Sequence, residues 1–244
     1  MTYCVGLRLN QGLVFMSDTR TNAGVDNFSV TRKMFTWEVP DERVITVMTA
    51  GNLATTQALI SLLDERSKIV SERNPTIMEL PTMFQVARTV GETLREVIEQ
   101  SGSEGQEAVS KFKATVILGG QIKGGPPTIF LIYPEGNFIE VTDDNPFFQI
   151  GETKYGKPIL VRAYDPSMSF EDAIKLLLVS FDSTIKANLS VGLPIDIQTY
   201  TSDSFEVTDR PRIEADDEYY QTVSSSWGEA LRSALTQLPP YKSE

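Results

Sequence analysis

Apolar and polar positions alternate with a period of two at the start of the chain and then change to a helical period. Residues 3–9 and 13–18 are β-like runs separated by Asn10-Gln11-Gly12, a turn sequence, so the beginning of the chain is expected to enter a sheet as half of a hairpin. Residues 19–27 are polar and Gly-containing and read as a loop. Residues 33–39 resume the alternation, Pro40-Asp41-Glu42-Arg43 turns the chain, and residues 44–50 form another β-rich run ending at Gly51. Four antiparallel strands are therefore expected before any helix.

From Asn52 the spacing of Leu53, Leu59, Ile60, Leu62, Leu63, Ile69 and Val70 fits one face of a helix. Phe84, Val86, Ala87, Val90, Leu94, Val97 and Ile98 give a second, with Asn74-Pro75 between the two. A loop at 102–105 leads to strands at 112–119 and 128–133, a turn at 134–137, a return strand at 138–141 and a further strand at 147–150. A short helix at 155–164 precedes a longer one at 170–188, opened by the capping sequence Ser169-Phe170-Glu171-Asp172. Residues 195–201 and 210–213 are the last strand candidates, and 219–238 closes as a helix. Periodicity alone carries this as far as α+β and largely antiparallel. The order strands, helices, strands, helices then calls for two facing sheets between helical layers, a four-layer αββα sandwich in one domain spanning 1–244.

Composition narrows the chemistry more than the fold. The 244 residues are 41% hydrophobic and 23% charged, with no apolar run long enough to span a bilayer and no signal peptide ahead of Thr2, so a soluble cytoplasmic protein is expected. A formal net charge of -11 opposes a nucleic-acid partner, which needs clustered Lys and Arg. The chain has no histidine, which excludes a Ser-His-Asp or Cys-His mechanism and any His-ligated metal within it. Its one cysteine, Cys4, lies on an alternating strand and reads as a core residue, and an internal disulfide is excluded. No cofactor is expected. A hydrolytic base must then be a carboxylate, a Lys, a Tyr or the chain terminus.

Thr2 supplies such a terminus. Threonine after the initiator is small enough for its Met to be trimmed, leaving a hydroxyl and a free α-amine on one residue. An α-amine titrates at about 7.7 to 8.0, close to working pH, and can take the proton of the neighbouring hydroxyl. The hairpin brings Asp18, at the end of its second strand, beside Thr2 at the start of its first. Lys33 begins the next strand and can reach the same corner, where Asp18 would hold it and its charge would favour negative charge on the Thr2 oxygen. Gly51 ends a strand where its N–H can point at a developing oxyanion. Each also has a plain structural alternative: Asp18 as a loop cap, Lys33 as a solvated strand-end charge, Gly51 as the start of a helix.

Thr2, the stretch Ser17-Asp18-Thr19-Arg20-Thr21-Asn22-Ala23-Gly24, Lys33 and Thr49-Ala50-Gly51 resemble the first half of a proteasome β-type subunit, an N-terminal nucleophile hydrolase. The opening Thr2-Tyr3-Cys4-Val5-Gly6-Leu7, the run from Ile150 to Pro158 and the run from Asn188 to Asp196 are similar to the bacterial proteasome-like family called Anbu, the ancestral β-subunit. The likeness covers nearly the whole chain. It implies the αββα fold, a Thr2 nucleophile supported by Asp18 and Lys33, Gly51 as oxyanion donor, and assembly of many copies into a ring or spiral acting on peptide or unfolded-protein substrate.

The sequence also departs from the proteasome pattern. Lys33 lies one residue nearer the nucleophile, Gly151-Glu152-Thr153 replaces Gly-Ser-Gly, and Asn188 and Ser190 stand where an Asp and a Ser support the α-amine. An amide cannot supply the charge of a carboxylate. Three functions follow: a threonine peptidase or amidase, a non-hydrolytic ring-forming subunit, and an N-terminal hydrolase of a small amide.

Overall fold

The computed structural model describes residues 1–22, 28–68, 75–101, 112–207 and 210–241. Its strands are β1 (Tyr3–Leu9), β2 (Gly12–Asp18), β3 (Arg20–Asn22), β4 (Phe28–Val30), β5 (Met34–Val39), β6 (Arg43–Gly51), β7 (Ala114–Ile122), β8 (Thr128–Ile132), β9 (Phe138–Glu140), β10 (Phe147–Gly151), β11 (Ile195–Thr201) and β12 (Arg212–Ile213). Its helices are α1 (Leu53–Lys68), α2 (Met83–Ser101), α3 (Lys157–Ala163), α4 (Phe170–Ala187) and α5 (Glu218–Gln237). One sheet has the order β10-β1-β2-β11-β12 and the other β5-β6-β7-β8-β9, with antiparallel pairing throughout.

Three buried clusters hold four layers together. Along β1 and β2, Tyr3, Val5, Leu7, Val14 and Met16 face α3 and α4, where they meet Leu160, Leu177 and Phe181. The alternate residues Cys4, Leu13 and Phe15 face the other sheet and pack with Val44, Met48, Ile117 and Ile129. On that sheet's far side Ile45, Val47, Val116 and Leu118 meet Leu59, Leu63, Val86, Val90 and Leu94 of α1 and α2. Strands covered on both faces must be apolar on both, so the alternation expected at the start of the chain gives way in β1 and β2 to strands buried at nearly every position. Each fully buried Leu or Phe contributes about 1.5–3 kcal/mol. The arrangement is the αββα sandwich that the order of elements implies.

Between the sheets a few polar side chains satisfy one another. Thr36 Oγ1 donates to Gln198 Oε1 at 2.7 Å while Gln198 Nε2 donates to Thr46 Oγ1 at 2.6 Å, tying β5 and β6 to β11. Tyr200 OH does the same to Gln121 Oε1 at 2.6 Å. The cap at the start of α4 is as expected: Ser169 Oγ accepts from the Asp172 N–H at 3.1 Å.

Several elements differ from the sequence reading. The polar stretch after β2 is not all loop, because β3 and β4 pair as a two-stranded ribbon with Thr21 opposite Ser29. Among the described residues six strands therefore precede α1, and four of them divide between the sheets: β1 and β2 join one, β5 and β6 the other. The β3–β4 ribbon lies on the chain's passage from one sheet to the other. β10 comes late in sequence yet pairs with β1, Tyr3 opposite Gly151. The expected loop at 102–105 and the positions of Ile69 and Val70 lie outside the described residues. No described helix is long and apolar enough to cross a membrane.

Candidate active site

Thr2 stands immediately before β1, the strand held between β2 and β10. On the β2 side the Tyr3 N–H donates to Asp18 Oδ1 at 2.9 Å. On the β10 side the Glu152 N–H donates to the Thr2 carbonyl at 2.7 Å. Thr2 is buried and Met1 ahead of it is 57% exposed. Gly151 makes this possible. Its φ is +84°, and a Cβ there would stand 1.9 Å from the Thr2 carbonyl oxygen, so a side chain would push Thr2 out of place.

Asp18 and Lys33 form a buried ion pair, Lys33 Nζ to Asp18 Oδ1 at 2.8 Å, with side chains 0% and 7% exposed. Lys33 Nζ also donates to the Arg20 carbonyl at 2.7 Å and to the Met1 carbonyl at 3.4 Å. All three ammonium protons thus have acceptors, and one acceptor is the carbonyl of the Met1–Thr2 peptide bond. Burial pushes the Asp18 carboxyl up from its ordinary range, against the Lys33 charge and the Tyr3 N–H, which favour ionisation. Asp18 Oδ2 carries no hydrogen bond from a described residue.

The N–H of Thr49 donates to the Lys33 carbonyl at 3.0 Å. Alternate N–H groups of a strand point the same way, so the N–H of Gly51 also points to the β5 side, past the end of β5 and toward the Lys33 corner. Gly51 has φ +124°, and a Cβ there would stand 2.4 Å from the Lys113 carbonyl oxygen. A cavity of about 450 Å³ opens here, lined by Thr2, Arg32, Lys33, Phe35, Ala50 and Gly51 among others. The larger cleft beside it, about 640 Å³, shares Arg32 and Phe35 but excludes Thr2, so it lies next to the site without containing its chemistry.

Thr2, Asp18, Lys33 and Gly51 are therefore brought to one corner, whereas the hydrogen bonds of Asn188 and of the Ser190 N–H go elsewhere than to Thr2. Asn188 Nδ2 donates to Glu152 Oε2 at 3.0 Å and Asn188 Oδ1 accepts from the Ser190 N–H at 3.0 Å. Sequence reasoning gave Glu152 no role. Its signal was the replacement of Gly-Ser-Gly by Gly151-Glu152-Thr153, a carboxylate where the pattern has a hydroxyl. Cys4 is fully buried beside the site, its Sγ 3.2 Å from Ser17 Oγ, and burial pushes its thiol up to about 12. Among the described residues no group of three or more His, Cys, Asp or Glu side chains is placed to hold a metal ion.

A four-layer sandwich with the first threonine against a buried Asp-Lys pair defines an N-terminal nucleophile hydrolase fold of the proteasome type. The family model for the proteasome subunit matches residues 2–199. A proteasome subunit beta of Haloquadratum walsbyi is 27% identical over 213 residues, 85% of this chain and 76% of that protein. Likeness to solved structures is stronger. Anbu from Hyphomicrobium sp. strain MC1 is 49% identical with a TM-score of 0.90, covering 99% of this chain and 100% of the other. Anbu from Yersinia bercovieri is 46% identical with a TM-score of 0.90 and the same coverage. The helical assembly of the Anbu complex from Pseudomonas aeruginosa gives 43% identity and a TM-score of 0.91, covering 99% and 98%. The chain belongs to the Anbu family of proteasome subunits.

Proposed function

We propose that this protein is a threonine hydrolase that cleaves a peptide or amide bond with Thr2 as nucleophile once Met1 has been removed. The observation that carries the reading is the Lys33 ammonium, fixed by Asp18 and at the same time hydrogen-bonded to the peptide carbonyl joined to the Thr2 nitrogen. Removing Met1 turns that nitrogen from an amide, which has no basicity, into an α-amine. Thr2 Oγ1 then attacks the substrate carbonyl while its proton passes to the amine, and the Lys33 charge lowers the cost of the alkoxide. The Gly51 N–H stabilises the oxyanion, the ammonium returns its proton to the leaving amine, and water resolves the ester by the same route.

Assembly belongs to the same proposal. The last turns of α5 touch little else among the described residues: Leu231 and Leu235, one turn apart on one face, are 51% and 69% exposed, and Leu238 just past the helix is 63% exposed. The structure from Pseudomonas aeruginosa is described as a helical assembly, and this face is a surface on which copies of the present chain can pack. Such an assembly would place Thr2 in a shared chamber in the cytoplasm. The test is the mass of the N-terminal peptide from native protein, together with turnover of short fluorogenic peptide amides. Protein starting at Thr2 that cleaves a probe, with turnover abolished in Thr2→Ala, supports the reading. Retained Met1 with assemblies intact refutes it and favours a non-hydrolytic subunit.

A further inference from the structure

A carboxylate sits beside the Thr2 backbone, and no Lys or Arg among the described residues is paired with it. Glu152 is 8% exposed, and carboxylates are rarely so buried without a counter-ion. Its position is fixed from both ends. The backbone N–H is bonded to the Thr2 carbonyl at 2.7 Å, and Oε2 accepts from Asn188 Nδ2 at 3.0 Å, Asn188 being held in turn by the Ser190 N–H. Oε1 has no hydrogen-bond partner, and no Lys or Arg pairs with Glu152, among the described residues. The one positive charge that maturation would create at this corner is the α-ammonium of Thr2.

We propose that Glu152 is the counter-ion of the Thr2 α-ammonium, a positioning residue aimed by Asn188 and Ser190. The proposal rests on the hydrolase reading and deepens it. The charge lost by having an amide at Asn188 is supplied by its hydrogen-bonded neighbour at the end of β10, and the amide serves to orient it. When the Thr2 Oγ1 proton moves to the amine, the ammonium forms against Glu152 Oε1. When it leaves for the departing amine of the substrate, the carboxylate is unchanged. The field already reaches the terminus with Met1 in place: burial and Lys33 lower the Met1 amine's affinity for a proton, whereas Asp18 and Glu152 raise it. The charged groups that act on the terminus are Asp18 from β2, Lys33 ahead of β5 and Glu152 after β10; Arg32 lines the same cavity, and Asn188, just past α4, is neutral.

The test measures the amine directly. In protein beginning at Thr2, competitive acetylation with acetic anhydride across pH, read by mass spectrometry of the N-terminal peptide, gives the α-amine pKa without any turnover. Glu152→Gln keeps the shape and an acceptor for Asn188, and it is expected to lower that pKa by about one unit, the size of effect an adjacent opposite charge has. Adding Asn188→Asp to Glu152→Gln restores a carboxylate at the corner and should bring back at least half of the difference. An unchanged pKa in folded Glu152→Gln overturns the proposal, as does a lowered pKa that Asn188→Asp leaves low, which would assign it to altered packing. In kinetics the acid limb of kcat/KM moves to lower pH in Glu152→Gln. If the amine responds as expected but the wild type hydrolyses nothing, the hydrolase reading fails and the ion pair stands.

Discussion

Gly151→Ala is the sharpest test of how Thr2 is placed. The added Cβ would stand 1.9 Å from the Thr2 carbonyl oxygen and 2.6 Å from its carbon, and heavy atoms essentially never come closer than 3.0 Å to a real Cβ. One of the two backbones must therefore move by about 1 Å or more, and a displacement of that size at a reacting group costs on the order of 100-fold in rate. The Glu152 N–H bond to the Thr2 carbonyl is strained by the same movement. Part of any stability loss has another source, since a non-glycine residue at positive φ costs about 1–3 kcal/mol by itself. Gly124→Ala separates the two. Gly124 has φ +91° with nothing within 4 Å of where a methyl would stand, so it carries the backbone cost without the collision. Urea unfolding should show both variants destabilised, Gly151→Ala by more, while turnover of a fluorogenic peptide amide falls about 100-fold in Gly151→Ala alone. Gly151→Ala with wild-type turnover would refute the argument.

Other perturbations separate charge from packing. Lys33→Met leaves the Asp18 carboxylate buried without its partner and is expected to cost about 3–5 kcal/mol in urea unfolding at neutral pH, with most of it recovered in Asp18→Asn/Lys33→Met; equal stability of the single and double variants would contradict a coupled pair. Cys4, pushed up to about 12, should resist iodoacetamide at pH 8 in the folded protein and react once unfolded, and fast native labelling would show the sheets are not closed over it. Tyr3 is raised from 10.0 to about 12 by burial, so the stability it contributes is complete below pH 10 and is lost as pH rises through 12. A rise of that size corresponds to roughly 3 kcal/mol, and Tyr3→Phe should remove that part of the alkaline loss in pH-dependent unfolding. Leu231→Asp with Leu235→Asp should leave a monomer of 27.1 kDa in sedimentation, and surviving assemblies would place the contact elsewhere.

What was legible in the sequence follows range of contact. The approach of Asp18 to Thr2 can be read from the chain because a short turn, two residues in the structure, closes the hairpin tightly, and the register Cys4 opposite Ser17 delivers it. The αββα layering follows from the order of elements. Membership of the sheets does not: a strand buried on both faces gives no clue to which sheet it joins, and β2 and β5, read as successive strands, lie in different ones. Lys33 therefore arrives at the site from across the sandwich. Glu152 was out of reach because its place depends on the pairing of β10 with β1, across most of the chain, and on an amide 36 residues further on. A ribbon of two three-residue strands, β3 and β4, is too short to show a period.

In the proposed mechanism the nucleophile sits on the chain terminus, which has a cost that this fold meets. Terminal residues fray unless tied down, and a fraying Thr2 would have to be ordered anew for each encounter with substrate. β1 avoids this by lying inside its sheet, with β2 and β10 hydrogen-bonded along its two sides, so that Thr2 is held before any ligand arrives. The same two neighbours end at the site: β2 with Asp18, β10 with Gly151 and then Glu152. Loss of Met1 then changes the chemistry of the Thr2 nitrogen without requiring the backbone to move, because the bonds that fix Thr2 and Tyr3 involve the Thr2 carbonyl and the Tyr3 N–H, both downstream of the bond removed. A strand at the sheet's edge would secure one side of the terminus only, and the second carboxylate would have no element to carry it.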